Sequence, residues 1–81
     1  DNSQSLNIFP NPSSGIFFIE SEKIENGVLE IYNLFGKIIY TIANYNQLTS
    51  IEIDLSKEPK GIYFAKMDVG TKIYTRKIII Q

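Results

Sequence analysis

The sequence predicts an all-β chain folded as an antiparallel β-sandwich of about seven short strands, and three observations carry that expectation. Fifteen of the 81 residues are Ile and ten more are Phe or Tyr, against two Ala, a mix that suits pleated, half-buried strands. Gly, Pro or Asn breaks the chain at intervals of about 8–12 residues, the spacing of short antiparallel strands joined by turns. The run Ile51-Glu52-Ile53-Asp54-Leu55 alternates strictly, turning three apolar side chains to a core and two carboxylates to water. A chain of this length has material for one small core.

Each element follows from local chemistry. Residues 6–9 form a first strand and lead into Pro10-Asn11-Pro12-Ser13-Ser14-Gly15, where two prolines fix φ and cannot donate to a ladder, so the chain turns or crosses. Residues 16–20 open with four consecutive apolar side chains, as a strand covered on both faces would. Residues 28–32 follow Asn26-Gly27. Asn33-Leu34-Phe35-Gly36 then carries Asn first and Gly last, which suits a type I turn into residues 37–43.

A polar loop over 44–47 precedes the alternating run 51–55, and residues 56–60 connect it to a strand over 62–69. Val69-Gly70-Thr71-Lys72 places Gly at the first central position of a type II′ hairpin, joining that strand to the last one, 72–81. Leu29, Ile51, Ile53, Leu55, Tyr63 and Ala65 are expected to face inward. Gly36 and Gly61 are expected in backbone conformations that a β-branched residue would not tolerate. Gly61-Ile62-Tyr63 stands where immunoglobulin-like sandwiches set a tyrosine corner, with Ala65 two residues on where an antibody domain carries its cysteine. On sequence alone Tyr63 is either that corner or one more half-buried aromatic.

Composition excludes most catalysis. Without Cys there are no disulfides, thiolate nucleophiles or Cys-based zinc motifs, and without His the commonest metal ligand and neutral-pH base is missing. Ser13, Ser14, Ser50 and Ser56 are left with a Ser-Lys arrangement as the one route to activation. Glu20, Glu22 and Glu25 cluster beside Lys23, but their spacing matches no EF-hand and suits a solvated turn. Glu52 and Asp54 sit on the outward face of a strand, outside any evident cleft for a glycosidase pair. No enzymatic activity, cofactor or metal is expected.

The net charge of −1 conceals an asymmetry. Residues 1–56 hold two Lys against seven acids, and residues 57–81 hold six cations against two acids. Either strands of the two halves pair so that their charges face each other, or a basic C-terminal face meets an acidic partner. A pI of about 5.3 and the lack of a recognition helix argue against nucleic acid. No stretch approaches the ~18 apolar residues of a membrane span. The polar start, without an initiator Met or an export leader, is expected to be the end of a linker (1–5) from an upstream domain.

Four sequence blocks, in this order, carry a family resemblance over residues 6–81. They are Pro10-Asn11-Pro12 with Gly15; residues 29–37, which read Leu-Glu-Ile-Tyr-Asn-Leu-Phe-Gly-Lys; Ile53-Asp54-Leu55-Ser56 followed by Gly61-Ile62-Tyr63; and Lys77-Ile78-Ile79-Ile80 at the end. Together they resemble the type A C-terminal sorting domain of the type IX secretion system of Bacteroidota. One departure is Glu58, where that family usually carries an apolar residue.

The resemblance implies an immunoglobulin-like β-sandwich over 6–81 that directs an upstream cargo in the same chain from the periplasm through the outer-membrane type IX translocon. The cargo would reach the cell surface or the extracellular space, often after a sortase-like peptidase removes the domain. Pro10, Asn11, Pro12, Gly15, Gly36, Gly61 and Tyr63 would be structural. Recognition would fall to the chain end: the cations Arg76 and Lys77, the run Ile78-Ile79-Ile80, and Gln81.

By strand period, Lys77, Ile79 and Gln81 share one face and Arg76, Ile78 and Ile80 the other. Either the sandwich covers both faces, or Lys77 and one Ile serve the partner. The final strand is also expected to present an exposed edge. The alternative function is a noncatalytic accessory module binding glycan or protein, for which Tyr40, Tyr45 and Tyr74 are the available platforms, with no Trp among them.

Overall fold

Seven strands form in a computed structural model that describes residues 6–21, 24–47 and 51–81, and within these all side chains except those of 21, 24–26 and 44–47. They are β1 (Leu6–Phe9), β2 (Ile16–Ser21), β3 (Ile24–Asn33), β4 (Ile38–Gln47), β5 (Ile51–Asp54), β6 (Gly61–Asp68) and β7 (Ile73–Ile80). One sheet has the order β1-β2-β5 and the other β4-β3-β6-β7, with all strand pairs antiparallel. This is an immunoglobulin-like sandwich, with β1, β2 and β5 in the places of strands A, B and E, and β4, β3, β6 and β7 in those of C′, C, F and G.

Period-2 alternation builds the core. Phe17 and Ile19 from β2, Ile53 from β5, Leu29 and Ile31 from β3, and Ala65 and Met67 from β6 are wholly buried between the sheets. Leu6, Leu55, Tyr63, Ile78 and Ile80 complete the cluster, and Ile51 packs partly buried against it. Each large side chain so buried contributes about 1.5–3 kcal/mol of transfer free energy. Glu52 and Asp54 face water, as the alternation of their strand requires.

Several expectations need correction. Ile16 and Phe18 are not covered: among the described residues no layer lies outside the three-stranded sheet, and they are 40% and 36% exposed while Phe17 and Ile19 are buried. Phe18 instead stacks on Phe9 across the strand pair, with ring centroids 6.0 Å apart. The 44–47 segment, read as loop, continues β4, because backbone pairing such as Gly27↔Tyr45 and Ile24↔Gln47 extends the ladder past its apolar positions. Asn26-Gly27 accordingly lies inside β3, at shifts of register. Of the two readings of the charge asymmetry, cross-strand pairing is met among the described residues at one pair, Glu30 and Lys66, which face each other on β3 and β6 at 3.6 Å. The remaining acids of β2 and β5 lie in the other sheet, away from the cations of β7. The linker expected at 1–5 lies outside the described residues, as do Glu22 and Ser50.

The Gly36 amide donates to the Asn33 carbonyl at 3.1 Å, closing the expected turn. At the β6–β7 hairpin Gly70 has the positive φ of 91° expected there, but the connection is a bend held by the Val69 amide on the Lys72 carbonyl at 3.0 Å and the Gly70 amide on the Asp68 carboxylate at 2.8 Å, without the Lys72-to-Val69 bond of a type II′ turn. Gly36 and Gly61 both have positive φ, 84° and 148°. After β5 the Asp54 carboxylate accepts the Ser56 hydroxyl at 2.6 Å and its amide at 2.9 Å, and these bonds hold its pKa below the ordinary value of 3.8. The stabilisation this brings is present above the ordinary carboxylate pKa and is lost as pH falls through the lowered one.

Gly15 marks a close backbone approach. Its φ is 122°, its carbonyl accepts the Leu55 amide at 2.7 Å, and a Cβ placed on it would lie 2.6 Å from the Ser56 Cα. Gly36 has open space around it. Gly15→Ala is therefore expected to cost ~2–3 kcal/mol or more, and Gly36→Ala ~1 kcal/mol. For a domain of this size each kcal/mol moves Tm by about 4–8 °C. Equal melting temperatures for the two variants would contradict the close approach at Gly15.

Candidate recognition site at the terminal strand

β7 has two edges, and the residue pairs with β6 use only one of them. In an antiparallel ladder the backbone groups alternate, so the carbonyl of Lys77, both groups of Ile79 and the amide of Gln81 point the other way. The segment between β1 and β2 meets them. Asn11 donates from Nδ2 to the Lys77 carbonyl at 2.8 Å and accepts the Ile79 amide on Oδ1 at 2.9 Å. The Ser13 amide donates to the Ile79 carbonyl at 2.9 Å, and its carbonyl accepts the Gln81 amide at 2.8 Å.

The carboxamide of Asn11 thus stands in for a peptide unit. The flanking prolines have no amide to leave unpaired, and both of their preceding peptide bonds are cis. This clasp corrects the expectation of an exposed final edge: over residues 77–81 the edge is covered. Nearer the start of β7, Arg76 donates from Nε to the Leu6 carbonyl of β1 and from Nη1 to the Thr75 carbonyl, each at 3.0 Å.

The side chains of the terminal segment divide by strand period. Ile78 and Ile80 are buried at 1% and 3% exposure and belong to the core. Lys77 and Gln81 are exposed, and Ile79 is half-buried on the outer face of the four-stranded sheet. Arg76 is exposed, but its guanidinium is spent on backbone carbonyls, which makes it a tether between β7 and β1. Of the six residues assigned to recognition, Lys77, Ile79 and Gln81 form the accessible stripe.

Tyr63 is a tyrosine corner. It is buried, opposite Ile78 on the β6–β7 ladder, and its hydroxyl donates to the Pro59 carbonyl four residues upstream. Burial, with the Glu58 carboxylate adding to it, pushes the phenol pKa up. This bond fixes the 56–60 connection beside the chain's C-terminal end, since Gly61 pairs with Ile80. A cleft of about 320 Å³ opens there, lined among others by Asn33, Phe35, Lys37, Pro59, Ile62 and Tyr63. Leu34 and Phe35 are part of its lining and are nevertheless 61% and 94% exposed. Reading Asn33 to Gly36 as a turn did not flag these two, although large apolar side chains where a turn usually carries polar ones were the available signal.

The other candidates are dispersed. Glu20 is exposed on β2, and the side chain of Glu25 is not among those described. Among the described residues no group of three or more acids is placed to hold a metal. Ser13 is buried, with its hydroxyl accepting the Gly15 amide at 3.2 Å. Tyr40 and Tyr74 pack partly buried against the core and offer no open platform, and the side chain of Tyr45 is not described. No helix among the described residues is long and apolar enough to cross a membrane.

Tyr63→Phe should remove the corner bond and lower stability by about 1 kcal/mol. A variant with the wild-type Tm would show that the corner contributes shape and no hydrogen-bond energy.

Comparison with known proteins places the chain in context. A family model described as secretion system C-terminal sorting domain matches residues 7–81, and no curated protein matches.

Proposed function

This chain belongs to the secretion system C-terminal sorting domain family, and we propose that the accessible stripe of its terminal strand is what the secretion machinery reads. As a sorting domain for type IX secretion it acts on the cargo fused upstream of it, marking that cargo for export across the outer membrane toward the cell surface or the extracellular space. The finer steps belong to the proposal. The folded domain waits in the periplasm, docks on the translocon through β7, and is removed by a sortase-like peptidase once the cargo is across. It performs no catalysis of its own and takes no cofactor.

The observation that carries this reading is the clasp on β7. Besides closing the edge of the sheet, the clasp holds the outward side chains of β7 in one geometry, as a stripe read by a receptor has to be presented. Ile78 and Ile80 seat the strand from inside, Arg76 and Asn11 anchor it from the sides, and Lys77, Ile79 and Gln81 are left outward. A cation beside a half-buried isoleucine suits a receptor surface of acidic and apolar character, where opposite charge speeds encounter and fixes register.

The test fuses the whole chain to a reporter in a type IX-competent cell and follows its location. Removing residues 77–81 would also strip Ile78 and Ile80 from the core, so lost export could report unfolding. Lys77→Glu is cleaner, because the side chain is exposed. It should leave circular dichroism and Tm unchanged and reduce export about tenfold, equivalent to ~1.4 kcal/mol of receptor affinity. Export of this variant at the wild-type rate would remove Lys77 from the recognition surface.

A further inference from the structure

We infer that the end of the sandwich bearing the 33–37 turn is a second docking surface, on which Phe35 and Leu34 enter an apolar pocket, rimmed by carboxylates, on the protein that reads the sorting domain. The inference rests on the sorting function above and adds a contact outside the terminal strand.

Presentation is the first ground. The Asn33 side chain accepts the amides of Phe35 at 2.9 Å and Lys37 at 3.0 Å, while its backbone exchanges hydrogen bonds with Gly36 and Lys37 at 3.1 and 3.0 Å. Four bonds therefore fix a short turn whose central side chains are both large and apolar. Phe35 is 94% exposed, Leu34 61% and the adjacent Ile38 51%. A side chain of this kind buries ~150–250 Å² when it finds a pocket, and a turn already ordered loses little freedom on docking. Isolated exposed apolar residues need no explanation, but two consecutive large ones on a braced turn, with the exposed Ile38 opening the next strand, form a patch.

Position is the second ground. Asn33 pairs with Tyr63 and Gly61 with Ile80, so the turn, the 56–60 connection and the end of β7 share one end of the sandwich. β1 begins toward the other end, where Leu6 pairs with Ser21. A receptor meeting the turn can reach the accessible stripe of β7 without crossing the point where the chain enters from upstream.

Charge and shape select the occupant. Lys37 and Lys60 flank the cleft against the single acid Glu58, so the patch is cationic on balance and complements a carboxylate rim. A second copy would set these lysines against their own images across a two-fold axis. An anionic membrane surface is usually met by four or more clustered cations without an intervening acid. A projecting phenyl beside a concave cleft is the relief of a protein interface.

The experiment uses the same reporter fusion. Phe35→Ser should keep the wild-type circular dichroism and Tm, since the side chain touches no core, and should lower export at least tenfold. Lys37→Glu should lower it severalfold. Ile73→Ser, at an equally apolar position 58% exposed on the opposite end, should be exported as wild type. Wild-type export of Phe35→Ser overturns the inference while leaving the sorting function standing, and failure of the unmodified fusion to be exported overturns both. A wild-type dimer that Phe35→Ser converts to monomer in sedimentation would make a second copy the occupant, and binding to phosphatidylglycerol vesicles that Phe35→Ser abolishes would make it a lipid surface. Either result overturns the inference.

Discussion

Asn11 pairs its carboxamide with the backbone of Lys77 and Ile79, residues more than sixty positions away in the chain, and the closed form of the sandwich depends on that contact. An open edge on β7 would present unpaired amides and carbonyls to any passing strand. A further backbone strand could have covered it, at the cost of a longer chain. Here one side chain and the two backbone groups of Ser13 supply four hydrogen bonds. Each contributes only about 0.5–1.5 kcal/mol net.

The rest of the molecule follows from where that clasp sits. Gly15 has to pass within contact of Ser56 to bring the segment back into β2, which explains its φ and its crowded Cβ position. Ile78 and Ile80 are held in the core, so the accessible faces of β7 are reduced to one stripe. The tyrosine corner at Tyr63 and the side-chain bonds of Asn33 then brace the loops at the same end. These polar contacts fix the shape of this end of the sandwich from outside the hydrophobic core.

Much of this was legible in the sequence. The alternation of residues 51–55 placed Ile53 and Leu55 inside and the two carboxylates outside, and Gly70 marked its hairpin by position alone. The prolines showed that the chain must turn or cross at residues 10–15. What they could not show was the destination, because a hydrogen bond between Asn11 and Ile79 leaves no local pattern in either segment. Residues 16–19 misled for a related reason: four apolar residues in a row look the same whether a second layer covers the outer face or Phe18 stacks on Phe9 and stays partly exposed. In the 44–47 segment polar side chains hid a strand whose pairing is made by the backbone. The exposure of Leu34 and Phe35 was in principle readable, since neither belongs in a turn for conformational reasons.

Amide hydrogen exchange on the wild-type chain and on Asn11→Ala tests the clasp most directly. The Ile79 amide faces Asn11, while the Ile78 amide faces β6 and serves as the internal reference. The account predicts that the substitution lowers protection at Ile79, and with it Gln81, at least tenfold beyond any change at Ile78. Protection at Ile79 that tracks Ile78 in both proteins would contradict it, and would mean that β7 is held by its core side chains and its pairing with β6 alone.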